Sequence, residues 1–254
     1  QGTTGATAVL PVVISSTNYQ DATVRVVLTV EALQVPVASA EEYTKVYDGQ
    51  PVTVEQLQTA ADVPGSWAWK GDAPRNVADS GEKVLVFTPD DTETYTSVEV
   101  RVQVTITKAD AQVTTQPQAV ADLTYNGQPQ TLITTGTAKG GTLLYALTEN
   151  GPYSEELPTA TDADTYTVWY KVAGDANHAD IAAVALKNAI AKADPTVPTD
   201  TLTAAYGDTL SEVALPEGWA WKDAGTSVGN VGENVFPAVY AGDINYKDAE
   251  ADLT

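Results

Sequence analysis

Residues 94–109 read TYTSVEVRVQVTITKA, and the alternation inside this stretch decides the fold class. Val98, Val100, Val102, Val104 and Ile106 fall on one side of an extended chain, and Glu99, Arg101, Gln103 and Thr105 fall on the other. Successive strand side chains point to opposite faces, so this segment has one apolar and one wet face. That is the pattern of an antiparallel sheet packed on one side.

The same stretch recurs. Residues 18–32 (NYQDATVRVVLTVEA), 177–193 (NHADIAAVALKNAIAKA) and 245–254 (NYKDAEADLT) also start at an aromatic ring (Tyr19, His178, Tyr246) and run on as an alternating strand. Two copies close on the same tripeptide, Lys108-Ala109-Asp110 and Lys192-Ala193-Asp194. A partner strand precedes each copy, at 9–13 (VLPVV), 84–87 (VLVF), 167–172 (TVWYKV) and 235–240 (VFPAVY). Gly5, Gly81 and Gly232 stand before three of these, whereas the second repeat has Asp162-Ala163-Asp164. The openings match too: Tyr47-Asp48-Gly49-Gln50-Pro51, Tyr125-Asn126-Gly127-Gln128-Pro129 and the shorter Tyr206-Gly207-Asp208-Thr209. Asp-Gly and Asn-Gly between apolar runs are hairpin signals.

Self-similarity of this kind sets the domain organisation. Residues 35–110, 111–193 and 194–254 are three repeats, the last cut short in its final strand, and 1–34 is the back half of another. The stub at 1–34 is expected to pair strands 9–13 and 23–30 as a hairpin. Its cover should come from the next repeat, a neighbouring chain or protein outside this sequence. Units of about 80 residues with turn signals every 8–12 residues suit a small sandwich of about seven strands. Residues 182–193 are alanine-rich, but the repeat register makes them a strand. The fold class read from the sequence is therefore all-β: tandem immunoglobulin-like β-sandwich domains in an elongated array.

Composition narrows the function. The 254 residues hold 34 acids against 13 Lys and Arg, a net charge of −21. Nucleic acid and anionic membrane both call for a basic face, so neither is an expected partner. Cysteine is absent, which removes disulfides, thiolate metal sites and Cys nucleophiles. No apolar run reaches membrane-spanning length. With no methionine and no signal peptide, the chain reads as an internal segment of a longer exported protein.

On Tyr47-Asp48-Gly49, Tyr125-Asn126-Gly127 with Gly136-Thr137-Ala138, Leu215-Pro216-Glu217-Gly218-Trp219 and the Asn-Tyr and Lys-Ala-Asp strand ends, the chain resembles MBG-type (Tyr-Asp-Gly) and related bacterial Ig-like repeats. These belong to large Gram-positive cell-wall-anchored or secreted proteins. The resemblance implies stalk, spacer or adhesin modules outside the cell, monomeric, with host or environmental protein or glycan as possible partner and no catalytic residues. The runner-up functions are a glycan-binding module and the accessory domains of a large secreted hydrolase or peptidase.

Candidate chemistry is sparse. The one histidine, His178, fills a slot that holds Tyr in the other copies, so it reads as packing at a sheet edge. Ser–His and Cys–His dyads and His-ligated zinc lack parts. Carboxylates abound, but they sit in loops shared by several repeats, which is poor ground for one active site. The expectation is no enzyme. Trp67-Ala68-Trp69-Lys70 and Trp219-Ala220-Trp221-Lys222 are one motif used twice. Rings two apart on a strand share a face, so Trp67, Trp69, Trp219 and Trp221 either pack inward or form a platform for a sugar ring. Trp169 aligns with an apolar position and reads as core. The loops Asp90-Asp91-Thr92-Glu93, Asp162-Ala163-Asp164, Gly174-Asp175 and Gly242-Asp243 offer calcium two or three carboxylates each, short of a full oxygen cage. They read first as turns, with no cofactor expected. Lys45 and Lys108 are the lysines to inspect for an isopeptide cross-link to Asn.

Overall fold

The computed structural model describes residues 7–29 and 31–254. Gly5 and Val30, placed by the sequence before the first hairpin and at its end, lie outside them. The described chain is all-β, with short 3₁₀ turns and many small sheets. It divides into two units, Gln1–Ala109 and Asp110–Thr254.

In the first unit, Thr7–Ser16 pairs antiparallel with Tyr19–Thr29. No described residue of this hairpin is buried: Val13 is 60% exposed and Val27 59%. The remainder is built on a four-stranded sheet in the order Tyr43–Val46, Val98–Thr107, Gly81–Pro89, Gly65–Trp69. Along Val98–Thr107, the side chains of Val100, Val102, Val104 and Ile106 are buried and those of Glu99, Arg101 and Gln103 are exposed. Each such burial is worth about 1.5–3 kcal/mol relative to exposure. Leu85 lies beside Val100 in the same sheet, and it packs with Val52, Leu57, Val102, Val104 and Ile106 in one core.

The second unit carries two three-stranded sheets. One is Gly141–Ala146, Thr165–Gly174, Ile181–Ala189; the other is Trp219–Trp221, Phe236–Tyr240, Ala249–Leu253. Tyr145, Val168 and Val172 of the first pack with Leu132 and Ile133, while the second has only Trp219, Ala238 and Leu253 buried. Ile181–Ala189 is a strand despite its alanines. Its ladder to Thr165–Gly174 supplies the hydrogen bonds that a helix would otherwise offer.

Two readings are corrected. Asp48-Gly49 does not close a hairpin. The strand before it, Tyr43–Val46, runs parallel to Val98–Thr107, and the chain beyond enters a 3₁₀ turn at Val54–Gln56. The Asp48 carboxylate instead accepts the Gln50 N–H at 2.9 Å, and Asn126 does the same for Gln128 at 2.9 Å. These are Asx turns, with φ near +77° and +73° at Gly49 and Gly127. Trp169 is not core. Val168, Tyr170 and Val172 take the inner face of their strand, and strand alternation turns Trp169, half-buried, to the other.

Gly81 and Gly232 share φ of 133°, a conformation closed to most side chains. The second repeat meets its strand without one: Asp164, at φ below zero, accepts the Ile190 N–H on its carbonyl at 3.0 Å.

Candidate functional site

The Trp-x-Trp strands carry the candidate platform for a sugar ring. In the ladders Trp67 lies opposite Phe87 and Trp69 opposite Leu85, and Trp219 lies opposite Tyr240 and Trp221 opposite Ala238. All four rings turn toward the cores of their repeats. Trp219 is 8% exposed and the other three are half-buried. Trp67 packs on Phe87 at 4.9 Å between ring centroids; Trp219 meets Tyr240 edge-on at 5.8 Å, and Trp221 meets Phe236 at 6.2 Å. Three indoles also donate to backbone carbonyls: Trp69 to Val52 at 2.9 Å, Trp221 to Val213 at 2.9 Å and Trp219 to Thr196 at 3.1 Å. A buried indole needs such an acceptor. Each ring packs against the core of its repeat, and Trp67, Trp69 and Trp221 keep part of their surface exposed.

The acidic loops are turns held by their own carboxylates. Asp91 accepts the Glu93 and Thr94 N–H groups at 3.1 and 3.0 Å, Asp175 that of Asn177 at 2.8 Å, and Asp243 those of Asn245 and Tyr246 at 2.7 Å each. Hydrogen bonds to the charged form lower a carboxyl pKa. The Thr94 hydroxyl and N–H thus hold Asp91 below the usual range, the His178 ring and Asn177 N–H hold Asp175 there, and the Tyr246 and Asn245 N–H groups do so for Asp243. Among the described residues, no three His, Asp or Glu side chains converge as a metal site would require.

His178 Nδ1 lies 2.7 Å from Asp175, and its ring covers Gly140 so closely that a Cβ there would sit 2.5 Å from it. It is a packing group. The Lys45 ammonium is 2.7 Å from Asp48 and donates to the Gln50 carbonyl at 3.2 Å. Its neighbour is therefore a carboxylate, and the hydrogen bonds from the Lys45 ammonium and the Gln50 N–H hold Asp48 below the usual range.

The most organised polar arrangement was not foreseen: a latch where the chain enters a repeat. In the first unit Gln34 bridges in parallel to Tyr95, its N–H reaching Thr94 O at 2.8 Å and its carbonyl accepting from Thr96 at 2.9 Å. In the second unit Ala193 does the same beside Tyr246. Its N–H donates to Asn245 O at 2.9 Å, and its carbonyl accepts the Lys247 N–H at 2.9 Å. Side chains flank that bridge. Lys192 Nζ donates to the Asp243 carbonyl, and Lys247 pairs with Asp194 at 3.0 Å. Asn245 reaches back to the second repeat, accepting from Ala163 N at 2.8 Å and donating to Asp162 at 3.2 Å. Tyr246 closes the seam, edge-on to Tyr125 at 5.3 Å and to Tyr240 at 5.9 Å. The sequence held the signal in two pieces, the Lys-Ala-Asp linker and the Asn-aromatic slot, but nothing in one dimension says that they meet.

Compared with protein-family models and with curated proteins, the chain gives no match. No helix among the described residues is long and apolar enough to cross a membrane.

Proposed function

We propose that this chain is a run of immunoglobulin-like spacer modules in a secreted bacterial surface protein, and that its work is mechanical: it holds a functional domain away from the cell. The observation that carries this reading is the repeated entry latch. A latch that fixes the chain by paired backbone hydrogen bonds at Gln34 and again at Ala193 restricts the hinge where one repeat follows another. A spacer needs that restriction, whereas a catalytic domain does not. Two further observations support it. The aromatic motif residues pack against the cores of their repeats, and the only histidine is held against Asp175. The repeated acidic loops serve as turn caps, which suits a scaffold.

The test is mechanical as well. Pulled end to end by force spectroscopy between engineered handles, the chain should unfold in successive steps of repeat-sized contour length. A single step releasing the whole chain at once would contradict the spacer reading.

A further inference from the structure

The sheet Gly141–Ala146, Thr165–Gly174, Ile181–Ala189 has an outer face that its core does not use. Along the middle strand Val168, Tyr170 and Val172 point inward, so Thr167, Trp169 and Lys171 point outward. The ladders place Trp169 opposite Ala146 on one side and Ala185 on the other. Lys187 lies opposite Thr167, which puts it on the same face as Trp169 and diagonal to it, about 7–8 Å away. Tyr145 bridges antiparallel to Ser154, so the preceding residue, Tyr153, falls beside Ala146. The order across this face is therefore Tyr153, Ala146, Trp169, Ala185.

Trp169 belongs to none of the three cores and makes no ring contact among the described residues. Its indole N–H has no acceptor there and is not buried. The side chains of Ala146 and Ala185 end at Cβ, so neither reaches over the half-buried indole. The Lys171 ammonium sits 4.2 Å from the centre of the Tyr153 ring, whose hydroxyl donates to the Glu149 carbonyl at 2.7 Å. That contact fixes the cation without neutralising it. On the wet faces of the other two repeats the cations are paired: Lys70 with Glu99, Arg101 with Glu82 and Lys222 with Glu250. The second repeat breaks this pattern. The chain holds 34 acids against 13 Lys and Arg, yet no carboxylate of the described residues lies within ion-pair distance of Lys171 or Lys187.

We propose that this face binds an acidic sugar, a single hexuronic acid at the end of a glycan. The C–H face of the pyranose ring packs on the indole of Trp169, because those hydrogens carry partial positive charge and the aromatic face is negative. The carboxylate lies between the ammonium groups of Lys171 and Lys187, and the indole N–H supplies a further donor. A polyanion would meet the net charge of −21 along its length. One carboxylate at a chain end does not, since charges farther away than about 8 Å are largely screened at physiological ionic strength. This site is separate from the Trp-x-Trp strands, and the inference stands apart from the spacer reading.

The test is a titration of the whole, uniformly 15N-labelled chain with methyl glucuronide, read at the tryptophan indole resonances. The Trp169 signal is identified as the one lost in Trp169→Phe. It should shift saturably with a dissociation constant of about millimolar order, as suits a small ligand on a shallow face. Methyl glucoside, which has a hydroxymethyl group in place of the carboxylate, should shift it far less, and acetate alone should leave it in place. Replacing both cations, Lys171→Gln with Lys187→Gln, should weaken binding about fivefold, the worth of two exposed charge contacts. Both lysines stand on a wet face, so this variant keeps the core intact. The proposal is overturned if the Trp169 resonance does not move at saturating sugar, or if glucoside or acetate moves it as far as glucuronide does. It is equally overturned if the double variant binds as tightly as the parent, or if the resonances of Trp67, Trp69, Trp219 or Trp221 respond in place of Trp169.

Discussion

Asn245 of the third repeat grips Ala163 of the second: its side-chain oxygen accepts the Ala163 N–H at 2.8 Å, while its amide donates to Asp162 at 3.2 Å. Asn245→Ala should therefore uncouple the two repeats more than it harms either core. Two hydrogen bonds of ordinary net worth amount to about 1–2 kcal/mol. In calorimetry the variant should show a lower transition for the third repeat, with that of the second little moved. An unchanged thermogram would show that the contact does not couple them.

Acid should loosen the loops. Asp91, Asp175 and Asp243 have folded-state pKa values below the ordinary carboxylate value. Their stabilising contribution is thus complete above the unfolded pKa of about 3.9 and is lost as pH falls through the depressed folded values. Melting temperature should be level from neutral pH down to about 5 and then decline. Asp243→Ala should melt lower at neutral pH and show a shallower acid decline than the parent. A parallel decline would place the acid sensitivity elsewhere.

The tryptophans should behave as core. Trp69→Ala and Trp221→Ala each remove a packed ring and an indole hydrogen bond, at a cost of about 3–5 kcal/mol. For the third repeat, whose buried core is small, that is enough to unfold it. Denaturant titration followed by circular dichroism measures this. A Trp221→Ala variant with parental stability would reopen the reading of these rings as a binding surface.

What the sequence disclosed and what it hid divide along physical lines. The alternation of 98–107 was legible because one strand face must be apolar when the other is wet, and the burial of Val100, Val102, Val104 and Ile106 follows it residue by residue. Asp48-Gly49 was legible as a turn but not as to kind. An Asx cap and a hairpin both use Asp-Gly, and only the long-range parallel pairing of Tyr43 with Val104 separates them. Trp169 was misplaced because hydrophobicity outweighed register: its neighbours Val168 and Tyr170 already define the inner face. The latch stayed hidden because Lys192 and Asp243 lie far apart in the chain and their contact uses a backbone carbonyl, which every residue possesses.

The N-terminal hairpin should be the least protected β structure. Both of its faces are open, as the exposures of Leu10, Val13, Val24 and Val27 record, and a two-stranded ribbon is marginal in water. In hydrogen exchange, amides of Tyr19–Thr29 should exchange much faster than those of Val98–Thr107, which has a strand on each side. Equal protection in a monomer would mean that the hairpin is covered in solution.

The central claim, a spacer of modules held in series, is tested most directly by small-angle X-ray scattering on the dilute chain. A compact globule of this length has a radius of gyration of roughly 18 Å. The account predicts a monomer with a radius well above that value and a rod-like distance distribution with a long tail. A monomer near 18 Å with a symmetric, single-peaked distribution would contradict it.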